Sequence, residues 1–155
     1  MKIASTLAAA ALLASGEVAL ASDLEGPGRF CGYSPIIDLF RGERITTLQG
    51  GIHGGMFEWT GNFGTFEVHG IGWASRPRGW MVTEPTRKGH ALFEQRREGG
   101  RYVVAIWNHA NGAAYFYSKR PFTDKQMAAI DRVDLFDENQ DEPEGCNLRT
   151  VFAWD

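Results

Sequence analysis

The chain has 155 residues and a formal net charge of −3 at pH 7, which suits one domain with a sizeable core and argues against non-specific nucleic-acid binding. Its 19 glycines and its five Trp, four Tyr and ten Phe favour pleated, half-buried strands and tight turns over helices. With only two cysteines, a dense disulfide framework is excluded.

At the start, Lys2 precedes an apolar, alanine-rich run from Ile3 to Ala14, and Ala19-Leu20-Ala21 supplies the small-x-small pattern of a signal-peptidase site. The run is shorter than the ~20 residues of a permanent membrane helix. The expectation is an export signal cut before Ser22, leaving 134 residues working in the periplasm or outside the cell. The residue after the cut is not cysteine, which speaks against a lipid anchor. In an oxidising compartment Cys31 and Cys146 are expected to bridge, tying the first segment to the last. The chain-entropy model gives up to ~4.7 kcal/mol for a loop of ~100 residues. The alternative is a nucleophilic Cys31, but Phe30-Cys31-Gly32-Tyr33 matches no nucleophile signature.

Residues 22–43 read as a lead-in, with a short helix from Ser34-Pro35 through Phe40, Ser as cap and Pro at the first position. From residue 44 a single β-rich domain is expected. Candidate strands are Arg44–Gln49, Ile52–Thr60, Phe63–Gly70, Trp80–Thr83, His90–Arg97, Tyr102–Asn108, Ala113–Lys119 and Leu148–Trp154, punctuated by Gly, Asn and Pro. Thr123 and Gln126 have capping-box spacing, Phe122 and Met127 that of a hydrophobic staple, and Met127, Ile130 and Val133 share one face. These place a helix at Asp124 to about Leu135, its apolar face against the outside of the sheet.

Three tight turns suggest registers. A loop at Gly61-Asn62 pairs Phe57 with Phe66 and Trp59 with Gly64. Gly99-Gly100 pairs Leu92 with Trp107 and His90 with His109, and Asn111-Gly112 pairs Trp107 with Phe116. One face of that meander then carries Ala91, Phe93, Val104, Ile106, Tyr115 and Tyr117. The other mixes His90, Leu92, Glu94, Arg96, Val103, Ala105, Trp107, His109 and Phe116, as a pocket wall would. A one-residue slip reverses both faces.

His90 and His109, directly opposite in this register, form a weak metal or acid–base pair, since zinc takes three or four protein ligands. Asp137, Asn139 and Asp141 have calcium-loop spacing, but Glu142 replaces the expected Gly and Leu148 the expected Glu; a solvated acidic turn is the plainer reading. Residues 76–101 hold seven Lys/Arg and three Glu, a basic stretch suited to a carboxylate, phosphate or sulfated ligand, or to neutralisation by the acidic tail. Gly-x-Ser-x-Gly, His-Glu-x-x-His, Gly-x-x-x-x-Gly-Lys and Cys-x-x-Cys are all missing, which lowers the expectation of an enzyme and calls for no cofactor.

The run Tyr115-Phe116-Tyr117-Ser118-Lys119-Arg120-Pro121, followed by the capped helix and Leu148–Trp154, resembles the end of bacterial lipocalins. There a last barrel strand closes with a Ser-Arg-x-Pro-like turn, then a helix, then a short strand. The resemblance covers about a third of the chain, and Gly55-Met56-Phe57-Glu58-Trp59 only loosely echoes that family's Gly-x-Trp-Tyr signature. It implies a calyx for a small apolar ligand. The sequence thus predicts an antiparallel β-barrel or strongly curved sheet of about eight strands with one C-terminal helix packed outside. The predicted protein is an exported, monomeric binding module for a small apolar, lipid-like or anionic molecule, with His90, Glu94, Arg96, Trp107, His109 and Phe116 as pocket candidates. The alternatives are a hydrolase or metal-assisted enzyme at the His90/His109 face, and a rigid interaction or inhibitor protein without a pocket. A small outer-membrane barrel fits less well, because several strands are shorter than the ~9–11 residues a membrane crossing needs.

Overall fold

A computed structural model describes residues 23–51, 53–78, 81–83, 91–109, 112–136 and 144–145, with 81–83 and 91–97 described by backbone alone. The expected signal segment, His90, the calcium-like stretch at Asp137, Asn139 and Asp141, Cys146 and the strand Leu148–Trp154 lie outside these residues.

The protein is mainly β. Its strands are β1 (Asp23–Glu25), β2 (Gly28–Cys31), β3 (Pro35–Leu39), β4 (Arg44–Gly50), β5 (Gly54–Gly61), β6 (Gly64–Ile71), β7 (Met81–Thr83), β8 (Ala91–Glu98), β9 (Arg101–Trp107), β10 (Ala113–Ser118) and β11 (Asp134–Leu135). One helix, α1 (Asp124–Ile130), precedes β11. An antiparallel sheet runs β1-β4-β5-β6-β10-β9-β8-β7, and a smaller one runs β11-β3-β2. The large sheet has two free edges, β1 and β7, so among the described residues no closed barrel forms.

The segment read as a short helix is strand β3. Ile36 and Ile37 are β-branched, and ladders on both sides, with β2 and with β11, outweigh the Ser-Pro start signal. Pro35 is tolerated because it opens the strand, where a missing N–H costs least. The lead-in is likewise structured: it supplies β1 and β2, and Phe30 and Cys31 are buried.

The helix begins where its capping box predicts, with Thr123 Oγ1 accepting from the Gln126 amide and Gln126 Oε1 from the Thr123 amide. It ends at Ile130, and turns then lead Val133 into the small sheet. It does not pack outside. Ala129 and Ile130 share one core with Phe57, Trp59, Phe66 and Phe116 of the large sheet and Ile37 and Leu39 of the small one. The core therefore lies between two layers, the large sheet on one side and α1 with the small sheet on the other. Its aromatic rings meet edge-on or stacked: Trp59 lies 5.0 Å from Phe63 and 5.3 Å from Phe66, and Phe66 5.8 Å from Phe116.

Two devices seal this core. At one end the loop from Gly32 to Pro35 crosses the inner face where Gly55 pairs with Gly70. A Cβ on Gly70 would fall 2.1 Å from the Gly32 oxygen, and one on Gly55 would fall 2.6 Å from the Tyr33 ring. The glycine-rich strand ends are thus a saddle for this loop. Tyr33, at a φ of 63°, anchors it by donating to the Gly51 carbonyl and accepting from the Gly51 amide at 2.8 Å. At the other end Arg132 donates to the buried Glu43 carboxylate at 2.7 Å and to the Asp38 carbonyl at 3.2 Å, and lies 4.1 Å over the Phe40 ring. A buried pair of this kind compensates two charges that neither could carry alone.

Candidate functional site

The expected pocket wall does not assemble, because two registers differ. The loop between β9 and β10 spans residues 108–112, so Trp107 faces Ala113 rather than Phe116. Asn108 holds this longer loop: its Oδ1 accepts from the Gly112 amide at 3.0 Å, and its Nδ2 donates to the Phe136 carbonyl at 3.2 Å. In β8 a bulge between Phe93 and Arg96 shifts the ladder by one residue, so Ala91, not Leu92, faces Trp107. Glu94 falls within that bulge, and Arg96 pairs with Val103.

The two shifts exchange the faces. Phe116 is fully buried on the inner face with Val104, Ile106 and Ala114, while Trp107 lies on the outer face with Ala105 and Tyr115. His109 sits in the loop at a φ of 63° with its ring 4.8 Å from Trp107. Of the three pocket candidates whose side chains are described, Trp107 and His109 are in contact and Phe116 lies on the opposite face. The other turn prediction slipped by two residues: Trp59 pairs with Phe66 and Phe57 with Val68. A two-residue slip leaves every side chain on its face, so the inner aromatic set survived it.

The polar cluster lies elsewhere, on the outer face of β5, β6, β9 and β10. Glu58 and Glu67 are directly opposed in the ladder, an arrangement that like charges disfavour. Glu67 is relieved by two neighbours. Its Oε1 bonds to His69 Nε2 and accepts from Arg101 Nη1 at 2.8 Å. The Arg101 guanidinium lies 4.3 Å over the Tyr117 ring, and the His69 ring 4.4 Å from the same ring. Burial raises the Glu67 carboxyl's affinity for its proton, but the bonds from His69 and Arg101 outweigh it and hold the group below the ordinary carboxylate range.

Beside this cluster opens a groove of about 770 Å³, lined by Glu58, Glu67, Arg101, Tyr117, Lys119 and Arg120 among others. Lys119, Arg120 and Glu58 make no ion pair among the described residues, whereas Glu67 and Arg101 neutralise each other. The groove thus offers two open cations against one open carboxylate. Lys119 and Arg120 belong to the turn that prompted the lipocalin resemblance, but their place beside Glu67 depends on the β6–β10 ladder, which pairs Glu67 with Tyr117. No group of three or more His, Cys, Asp or Glu among the described residues could hold a metal ion, and no described helix is long and apolar enough to cross a membrane. No family model matches the chain, and no match is found among the curated proteins or the solved structures.

Proposed function

We propose that the protein is an exported binding module that takes a small anionic molecule in the groove that runs from the outer face of its large sheet to the start of α1. The observation that carries this reading is the pair Lys119 and Arg120, two cations without ion partners among the described residues, beside a closed Glu67–Arg101 pair. Such groups recognise a carboxylate or sulfate, and Glu58 stands ready to accept from a hydroxyl on the same ligand. A lipid in an interior calyx fits less well, because Phe57, Trp59, Phe66 and Phe116 fill the space between the layers. Calorimetric titration tests this: galacturonate binds, rising salt weakens it, and Lys119→Glu with Arg120→Glu removes it, while palmitate does not bind. Binding of palmitate but not of galacturonate would reverse the reading.

A rigid interaction protein is the second reading, favoured by the same filled interior, and it expects neither small molecule to bind. Export and the Cys31–Cys146 bridge belong to the proposal too. Cys31 is buried in β2, and Arg29 of that strand donates to the Glu144 carbonyl at 2.8 Å, which brings the chain just before Cys146 beside β2. The intact mass before and after reduction and alkylation checks both: the expected species begins at Ser22 and takes up alkylating reagent only after reduction.

A further inference from the structure

A second hollow lies beside Met56 and His69 on the outer face of the large sheet. It measures about 240 Å³ and is lined by Gln49, Gly50, Gly54, Met56, His69 and Ile71 among others. Much of its wall is glycine, which leaves backbone polar groups within reach of a ligand. Beyond its end stands Trp73, 65% exposed, its ring tilted against His53 with centroids 4.4 Å apart and planes 32° apart. The Gly72 amide donates to the His53 carbonyl at 3.2 Å, which holds the two chain ends that carry these rings. A large aromatic face presented to water on a braced support is a stacking platform.

The ladder makes the hollow and the groove neighbours. Gly54 pairs with Ile71, Met56 with His69, Glu58 with Glu67 and Thr60 with Thr65, and alternate residues along a strand share a face. His69 lines the hollow, and its Nε2 bonds to Glu67, which lines the groove. From Ile71 to Thr65 this track along β6 is about 20 Å long at ~3.3 Å per residue, and Trp73 follows in the turn beyond Ile71.

We infer that the track binds a chain of acidic sugars rather than one small anion, an inference that rests on the groove reading above. Each part of an acidic oligosaccharide finds a partner there. A ring's C–H face suits Trp73, and hydroxyls suit the Gln49 amide, the second His69 ring nitrogen and Glu58. Carboxylates suit Lys119 and Arg120. An acidic peptide has the charge, but β5 and β6 are both interior strands and offer it no free edge to pair with among the described residues.

Calorimetry on the full chain, with galacturonate, a linear tetragalacturonate, a neutral cellotetraose and a tetraglutamate peptide as probes, tests this. Tetragalacturonate is expected to bind roughly tenfold more tightly than galacturonate and than either other tetramer. Trp73→Ala weakens the tetramer roughly tenfold and leaves galacturonate unchanged, and Trp73→Phe restores most of the loss. Because Trp73 is exposed, the variants should keep the parent's melting temperature. A tetramer no tighter than galacturonate, a tetramer indifferent to Trp73→Ala, or tetraglutamate binding equally well would each overturn the glycan inference while leaving the groove reading intact. Tetragalacturonate binding that survives Lys119→Glu with Arg120→Glu would overturn the groove reading as well.

Discussion

The two faces of hairpin β5–β6 are built from alternate residues of the same two eight-residue strands, yet they follow opposite rules. Inward, Phe57, Trp59, Phe66 and Val68 are buried and their cross-strand pairs are mutually supportive. Outward, Glu58 opposes Glu67, and the conflict is only half relieved by His69 and Arg101. One face is optimised for folding, while the other tolerates a local electrostatic cost, as binding surfaces do. The contrast separates substitutions that should unfold the protein from those that should alter only its surface chemistry.

The largest effect is expected at Trp59, fully buried in the core. Trp59→Ala should cost about 3–5 kcal/mol in denaturant unfolding. Trp59→Phe should cost far less, because the Trp59 Nε1 is buried without a hydrogen-bond partner among the described residues and its removal leaves no acceptor stranded there. Equal losses for the two would mean that the indole nitrogen is satisfied.

Next comes the Arg132–Glu43 pair. Arg132→Met strands a carboxylate whose residue is only 7% exposed, and should cost about 3 kcal/mol. The double variant Arg132→Met with Glu43→Gln should recover part of that loss, a result that a double-mutant cycle reads directly.

Gly70→Ala should cost about 2 kcal/mol by forcing the Gly32–Pro35 loop off the saddle, whereas Gly72→Ala, whose Cβ would meet nothing within 4 Å, should be close to neutral. Similar melting temperatures for the two variants would remove the saddle from the account. Thr123→Ala should cost about 1 kcal/mol through loss of the cap.

The smallest effect belongs to the outer face. The folded Glu67 carboxyl is held below its ordinary range, so its contribution is complete at neutral pH and disappears as pH falls through the lowered folded value. The group is partly exposed, so Glu67→Gln should lower stability at pH 7 by less than about 1 kcal/mol and flatten the acid limb of the stability profile. An unchanged acid limb would show that His69 and Arg101 do not act on this carboxylate in solution.

Local chemistry was legible where it is decided locally. The capping box at Thr123 and Gln126 set the start of α1, because both partners lie within one turn. The candidate strands between Arg44 and Lys119 appeared close to their expected bounds, because alternation and turn residues mark them. Pro35–Leu39 was misread because its ends carry helix signals while its partners, β2 and β11, are supplied by other parts of the chain. The face assignments of β8–β10 failed for a related reason. The bulge at Phe93–Arg96 and the five-residue loop closed by Asn108 each carry an odd shift, and neither has a strong sequence marker. The candidate groove was not legible as a site: Lys119 and Arg120 belong to the lipocalin-like turn and Arg101 to the basic stretch 76–101, but Glu67 belongs to no motif and these residues lie far apart in the chain.

By itself, the sequence determined an antiparallel β-rich fold, the start of its helix and the shared face of Phe57, Trp59 and Phe66 in β5–β6, since these follow from period-two patterning and contacts within a few residues. Tertiary structure alone decided that the helix fills the core rather than lying outside it, and that the glycine-rich strand ends form a saddle. It alone also gathered the charged outer groove. Those outcomes depend on which strands become neighbours and in which register, and long-range pairing leaves too faint a trace in any short stretch of residues to be read in advance.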